Sequence, residues 1–515
     1  MARSFCLILV AVCVVAATRS PAQHDPQRNA TIAIAHGEFK NVDKILGKAE
    51  PDDPETRFVR MMAALAQDDM PAAVAEAEAA MKAGLSFERL QAGPWDLLAG
   101  LRETPEFAKW AAKHGGTTLL HGPMLGAVTD SGASVWVRTV GPAEVRVRVG
   151  TRLSEPVKTG AATHFAAVVP IEGLKPATSY PYEVLVDGRV VPVEGATLRT
   201  SPVAGKPAAF AVAFGGGAGF VPKWEYMWDT IRARKPAAML MLGDNVYIDD
   251  PEPESLLTHH YCYSRRQQRA EWRRLTAGTA MYEVYDDHDF GKNDCVPGPD
   301  IESPAWKRQV WNVFRENWVN PAYGGGGKQP GCWFDFQIAD VHFILLDGRY
   351  YRDREGGSML GPVQKAWLKE TLTNSTATFK VLASPVPWTA KIKPGSKDPW
   401  DGFPEEREEI FSFIEDQEIE GLFLVAADRH RTDLRTTARP DGYTLYEFES
   451  SKLTNRHTHG VVKTPGLIWG HNKVCSFGLM RFDTTKEDPQ VVFECVDIDG
   501  KVEHSFTLKR SMLER

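Results

Sequence analysis

Short apolar runs of strand length alternate with helical stretches from Ala208 to the C-terminus. Strands made from such continuous runs are expected to be buried on both faces, as in a parallel sheet covered by helices. The segment 208–515 is therefore predicted to form one α/β domain with a second sheet near its end. The predicted strands are 210–214, 238–242, 281–285, 341–346, 379–383, 421–426, 443–448 and several within 477–508, and the predicted helices are 224–234, 363–373 and 405–417.

Acidic and imidazole side chains follow three of these predicted strands. The three segments are Gly-Asp244-Asn245-Val-Tyr247, Asp-Asp287-His288-Asp and Asp428-Arg429-His430. Open α/β sheets bind ligands at the carboxyl ends of their strands, so these side chains are predicted to meet at one edge. A single Asp in such a place is commonly a turn residue or helix cap, but turn chemistry does not readily explain three strand ends. Carboxylates mixed with imidazole and phenol suit a hydrolytic site with two metal ions.

The first 200 residues divide into three parts with different sequence patterns. Residues 1–22 have a basic start, an apolar run and then small residues, as in a secretory signal peptide. An uncleaved anchor is the alternative, although the run is shorter than the roughly 20 residues of a membrane span. Residues 30–115 are rich in helix formers at helical spacing, which predicts a small helical region for packing or docking. Residues 118–200 alternate in short runs, which predicts an antiparallel β-sandwich resembling a fibronectin-III-like or immunoglobulin-like module.

Composition narrows the classes of function. The formal net charge of −7 argues against a stable nucleic-acid partner, but metal ions can still supply local positive charge for a phosphate substrate. The signal peptide and the absence of a later apolar span predict an exported protein, periplasmic or extracellular, with no membrane partner. Five of the seven cysteines lie beyond the signal, so at least one thiol is free or paired between chains, and their spacing shows no zinc pattern.

The ordered motifs resemble one known family. The strand-end segments, together with Leu-Leu-Asp-Gly-Arg349-Tyr and Gly-Pro-Val-Gln-Lys-Ala-Trp367-Leu, look like those of the alkaline phosphatase D (PhoD-like) family of calcineurin-like metallophosphoesterases. Segments 384–387, 398–404 and 450–455 extend the match in the same order, from Gly122 to the C-terminus. The resemblance implies an α+β, α/β fold in which two sheets are flanked by helices in four layers. It also implies hydrolysis of phosphomonoesters or phosphodiesters by attack of a metal-bound hydroxide.

The resemblance implies a role for individual residues as well. The implied metal ligands are Asp244, Tyr247, Asp287, Asp428 and His430. They would hold two or more metal ions, iron and calcium in the family, with Asp244 as the bridge. His288 would stabilise developing charge or protonate the leaving oxygen, with a helix-capping or structural histidine as the alternative. Arg349 is predicted to clamp a phosphate oxygen or else to form a structural ion pair. The predicted contacts to a small phosphate-ester substrate are Asn245, Arg429 and His459.

One expected ligand is missing from the sequence. The family's first strand ends in Ser-Cys, and its thiolate binds iron, whereas the matching segment 214–219 reads Phe-Gly-Gly-Gly-Ala-Gly. Gly217 takes the cysteine position and offers no ligand. Three interpretations follow: the site uses a harder divalent ion with water in the gap, a distant cysteine or carboxylate substitutes for the ligand, or the protein is a weakened or inactive relative that only binds phosphate or metal. A third class, an exported structural protein that mediates adhesion, predicts no bound metal.

Overall fold

The computed structural model describes residues 25–50, 53–250 and 255–515, and the predicted signal peptide lies outside them. Its helices are α1 Pro26–Ala35, α2 Phe39–Leu46, α3 Pro54–Leu65, α4 Met70–Lys82, α5 Phe87–Gln91, α6 Ala99–Arg102, α7 Pro105–His114, α8 Met227–Ala233, α9 Leu257–Gln267, α10 Ala270–Thr276, α11 Asp287–Phe290, α12 Trp306–Asn317, α13 Gly361–Asn374 and α14 Pro404–Asp416. Within these three ranges, no helix is long and apolar enough to cross a membrane.

The strands form three sheets. The strands are β1 Leu119–Gly126, β2 Gly132–Thr139, β3 Glu144–Val149, β4 Arg152–Leu153, β5 Val157–Lys158, β6 Ala166–Glu172, β7 Ser179–Val186, β8 Arg189–Val191, β9 Thr197–Arg199, β10 Ala209–Gly215, β11 Ala238–Leu242, β12 Ala280–Val284, β13 Phe334–Ile338, β14 Val341–Leu345, β15 Phe379–Ser384, β16 Leu422–Ala426, β17 Thr432–Thr437, β18 Leu445–Ser450, β19 Leu467–His471, β20 Ser476–Asp483, β21 Gln490–Asp497 and β22 Val502–Lys509. A nine-stranded sheet has the order β22-β21-β20-β10-β11-β12-β1-β2-β6, and a seven-stranded sheet has the order β13-β14-β15-β16-β18-β17-β19. A third sheet joins β4, β3, β7 and β8, with β5 and β9 at its sides.

The two large sheets pack face to face through alternating side chains of β14, β15 and β16. Phe343 and Phe423 point inward and meet Phe482 of β20, with ring centroids 5.8 and 6.4 Å apart. Their neighbours Ile344 and Leu424 point outward into a second apolar cluster with residues of α13 and α14. This period of two matches strands buried on both faces. Helices α8 and α10 pack together through the Trp228–Trp272 ring pair, and α10 packs on β1 of the nine-stranded sheet. The order of layers is therefore helix, sheet, sheet, helix.

The predicted combination of α/β sheets with helices is confirmed, and most predicted strands are observed within two residues of their expected bounds. The C-terminal strands divide between the sheets in a way that the sequence did not predict. Strand β18 joins the seven-stranded sheet, whereas β20, β21 and β22 join the nine-stranded sheet beside β10. A C-terminal segment therefore completes both sheets.

The separate fibronectin-III-like sandwich is not confirmed. Strands β1, β2 and β6 extend the nine-stranded sheet, because β1 pairs with β12 in parallel at Leu125 and Gly126. The remaining strands of the segment form the small third sheet. Local alternation marks the strands correctly but carries no information about which distant strand pairs with β1.

Helices α1 to α7 occupy the segment that was predicted to be helical. Several begin at side-chain caps, such as Asp25 for α1 and Thr104 for α7, each followed by a proline in the first turn. Helix α1 packs on α9, where Arg265 forms an ion pair with Asp25. The helical segment is thus attached to the part of the chain that carries the strand-end residues.

All five cysteines beyond the predicted signal are free and buried. The described part of the chain contains no disulfide.

Candidate metal centre

Four residues predicted from the strand ends adopt left-handed backbone conformations. Asp244 and Tyr247, after β11, have φ of 55° and 46°, and Asp428 and His430, after β16, have φ of 69° and 46°. Such conformations cost roughly 1–3 kcal/mol each in non-glycine residues and persist where the surroundings impose them. Their concentration in two strand-end loops points to a functional site.

The two loops meet side chain to side chain. The Tyr247 hydroxyl donates to Asp244 Oδ2 at 2.9 Å, and its oxygen lies 2.7 Å from His430 Nε2. His430 Nε2 lies 3.7 Å from Asp244 Oδ2. The third strand end joins them, because Asp244, Asp287 and His288 each offer a ligand atom within 4.8 Å of the others. The prediction that these strand ends converge is therefore confirmed by their geometry.

Buried polar atoms in this cluster fit a cation. Asp244 Oδ1, Asp428 Oδ2 and His430 Nδ1 are buried and accept or donate no hydrogen bond. Burial raises the pKa of Asp244 well above its usual range, and neighbouring carboxylates such as Asp287 raise it further, against the opposing effect of His288. A bound cation would satisfy these oxygens and favour their charged form. The donor set of carboxylates, phenol and imidazole suits divalent or trivalent metal ions.

The Asp249 carboxylate holds the His288 ring through its Nδ1 atom. This Nδ1 forms an ion pair with Asp249, and the ring lies against Tyr247 with centroids 4.8 Å apart. Burial alone would raise the pKa of Asp249, but His288 and Arg28 hold it at about 2. A carboxylate at Nδ1 fixes the orientation of the ring.

The helical segment contributes to this arrangement. Arg28 of α1 forms an ion pair with Asp249 and donates to the Tyr247 carbonyl oxygen at 3.3 Å. His36, just after α1, lies 2.9 Å from Asp250 through Nε2. Sequence reasoning missed Arg28 and Asp249. The run Asp249-Asp250, two residues after Tyr247, was the only local signal.

Arg349 is buried among carboxylates. It is 0% exposed and pairs with Asp286 and with Asp398, the latter at 2.7 Å. It also lies 3.7 Å from an oxygen of Asp287. This placement favours the structural ion pair over the phosphate clamp, because the Arg349 guanidinium is already paired with carboxylates. The contact to Asp287 makes Arg349 a support for a predicted ligand.

The predicted substrate contacts lie in different places. The Asn245 amide donates to the Val284 carbonyl oxygen at 2.8 Å, so its side chain fastens one strand end to another. Arg429 Nη1 lies 3.5 Å from Asp428 Oδ2, and its Nε is buried without a partner. His459 lies beside His430, with ring centroids 5.5 Å apart. Arg429 and His459 therefore border the cluster, whereas Asn245 supports it.

The glycine that takes the expected cysteine position lies against the cluster. A Cβ atom built on Gly217 would lie 3.3 Å from His430 Cδ2 and 3.3 Å from Ser451 Oγ. A side chain there would therefore face His430, which supports the placement of the missing ligand. Gly217 has φ of 69°, so any side chain at this position would also carry backbone strain.

Comparisons with known proteins agree with this geometry. The chain is 25% identical to alkaline phosphatase D of Bacillus subtilis (strain 168) over 333 residues, which cover 55% of each protein, so the match spans about half the length of that relative. A solved structure of PhoD superposes with a TM-score of 0.60 at 16% identity, covering 75% of this chain and 92% of the other. A purple acid phosphatase from seeds of yellow lupin (Lupinus luteus) gives 0.57 at 13% identity, covering 76% and 75%.

Family models account for most of the described residues. A domain of unknown function matches residues 116–203, which include β1 to β9. The model of the PhoD-like phosphatases matches residues 210–507, more than half of the chain, and includes every strand-end residue discussed above. The chain therefore belongs to the PhoD-like phosphatase family.

Proposed function

We propose that the protein is an exported, metal-dependent phosphoesterase that hydrolyses phosphomonoesters or phosphodiesters. One observation carries the proposal: carboxylate, phenol and imidazole groups from three strand ends converge in one buried cluster. The family match and the fold of the relatives support the same reaction class. Export rests on the signal-peptide pattern of residues 1–22.

Asp244, Tyr247, Asp287, Asp428 and His430 would hold the metal ions. Metal ions at such a site supply Lewis acidity and lower the pKa of bound water from 15.7 to about 7. Asp244 would serve both ions, because its carboxylate lies within reach of Tyr247, of His430 and of the Asp287–His288 segment. Arg349 keeps Asp287 in place through their 3.7 Å contact.

His288 is the proposed proton donor to the leaving oxygen. Asp249 accepts from its Nδ1, which fixes the ring and its tautomer. Burial opposes the charged imidazole, but Asp249, Asp287 and Asp244 raise the pKa of His288 well above its usual range, so the ring holds a proton that it can donate. Arg429, beside Asp428, supplies positive charge for the phosphoryl oxygens.

The absence of a side chain at Gly217 favours a second candidate, a relative that binds metal or phosphate without turnover.

The experiment removes metal from the exported protein with a chelator, adds single divalent ions or iron, and measures hydrolysis of p-nitrophenyl phosphate and its bis-ester. The phosphoesterase proposal predicts metal-dependent turnover that an Asp244→Ala variant lacks. Binding of phosphate without turnover for any ion would favour the second candidate. Recovery of the protein only from the cytoplasm would contradict export.

A further inference from the structure

Three histidine rings converge at His430, the residue that a side chain at Gly217 would face. His430, His457 and His459 each offer a ring nitrogen, and these atoms lie within 4.8 Å of one another. His457 Nε2 and His459 Nε2 are 3.1 Å apart, and their rings are nearly perpendicular at 88°. The ring centroids of His457 and His459 lie 5.3 and 5.5 Å from that of His430. Three nitrogens at these separations can share one cation.

The loop that carries the two additional histidines is bound to the predicted ligands. The Asn455 amide donates to the Tyr247 hydroxyl at 2.5 Å, and its Oδ1 accepts from the His457 backbone N–H at 2.8 Å. The Thr458 hydroxyl donates to the His430 carbonyl oxygen at 3.2 Å. These contacts fix the loop from both ends. The loop therefore holds its two histidines beside the cluster.

The three imidazoles lie in largely enclosed surroundings. His430 is buried and its Nδ1 has no hydrogen-bond partner, while His457 and His459 are half-buried. Packing of the three rings alone would leave the buried Nδ1 of His430 without a hydrogen-bond partner, which is unfavourable for a buried polar atom. A shared cation explains the convergence better than packing does.

We propose that His430, His457 and His459 form an imidazole site for a borderline divalent cation such as Zn²⁺. The proposal rests on the proposed metal-dependent function and specifies one of its sites. Gly217 offers no side chain at this place, and His457 and His459 supply neutral nitrogen ligands instead. Imidazoles are a known ligand set for catalytic zinc. The chain therefore replaces the missing ligand with nitrogen donors from a later loop, neither with cysteine nor with carboxylate.

The test titrates metal-free protein with Zn²⁺ and with Co²⁺, whose absorption spectrum reports on nitrogen ligands. The wild-type chain is compared with a His457→Gln/His459→Gln double variant and with His114→Gln, which changes an exposed histidine at the end of α7. We expect the affinity of one Zn²⁺ site to fall by at least about 100-fold in the double variant. Mutation of residues that only support metal ligands through hydrogen bonds already lowers metal affinity by about 10–100-fold, and removal of two ligands should cost more. The Co²⁺ spectrum should change in the same variant, whereas His114→Gln should match the wild type in both measurements.

Unchanged Zn²⁺ affinity and an unchanged Co²⁺ spectrum in the double variant would overturn the imidazole site. Thermal unfolding in chelator confirms that the variant is folded, which is expected because both side chains are half-buried in a loop. Wild-type hydrolysis of phosphate esters separates the two proposals. If hydrolysis is metal-dependent while the double variant still binds Zn²⁺ normally, only the histidine proposal fails. If the wild type binds metal at the histidines but hydrolyses no ester, the proposed function fails instead.

Discussion

An Asp244→Asn variant is expected to lose at least about 10³-fold in kcat/KM for phosphate-ester hydrolysis. Metal ions contribute several kcal/mol of charge stabilisation, and each 1.36 kcal/mol is tenfold in rate. Asp244 lies within reach of both Tyr247 and His430, and an oxygen of its carboxylate is buried without a hydrogen bond. An amide at this position cannot bridge two cations as a carboxylate does. The measurement pairs steady-state kinetics with the metal content of the purified variant.

The same variant should be no less stable in the absence of metal. Burial raises the pKa of Asp244, so its charged form opposes folding above the pKa of the unfolded chain. Removing that charge is expected to raise the Tm measured in chelator. A gain in stability on mutation is typical of residues that are kept for function rather than for stability. Asp499→Asn, at an exposed carboxylate in the turn before Gly500, is the control for the loss of a surface charge. Full activity and normal metal content in Asp244→Asn would contradict the role of this residue.

A His288→Gln variant is expected to lower kcat by about 10²- to 10⁴-fold, the range typical of general acid catalysis. The loss should grow with the pKa of the leaving group, because a poor leaving group needs the proton more. We expect a larger loss with phenyl phosphate than with p-nitrophenyl phosphate. Asp249→Asn should give a smaller loss with the same trend, since Asp249 acts through the His288 ring.

The structural alternative for His288 predicts a different pattern. A histidine that only supports the fold or caps a helix would give an equal loss for all leaving groups, together with a lower Tm or lower metal content. Kinetics on a series of aryl phosphates, with metal content measured in parallel, distinguish the two roles. A flat dependence on the leaving group in His288→Gln would contradict proton donation.

The strand-end part of the site could be predicted from sequence because two simple rules combine there. Continuous apolar runs identify strands such as β11 and β16, which are buried on both faces. The carboxyl ends of such strands share an edge, so Asp244 and His430, although distant in sequence, meet in the fold. The periodicity also predicted the helices α13 and α14 that cover the outer face of one sheet.

The supporting contacts could not be predicted because they join segments that no local pattern relates. Arg28 reaches Asp249 across a separation of 221 residues. The parallel pairing of β1 with β12 also joins segments that are distant in sequence. This pairing attaches part of the predicted separate sandwich to the nine-stranded sheet. His459 was predicted as a substrate contact rather than as a metal ligand, since only the fold shows that its loop is held against Tyr247 through Asn455.

Anomalous diffraction from crystals soaked with Zn²⁺ or iron tests the central claim most directly. The account predicts two peaks roughly 3.5–4 Å apart, both within bonding distance of Asp244, with Asp287 beside one and His430 beside the other. Peaks absent from this cluster, or separate peaks that do not share Asp244, would contradict the claim that the three strand ends together hold a pair of metal ions.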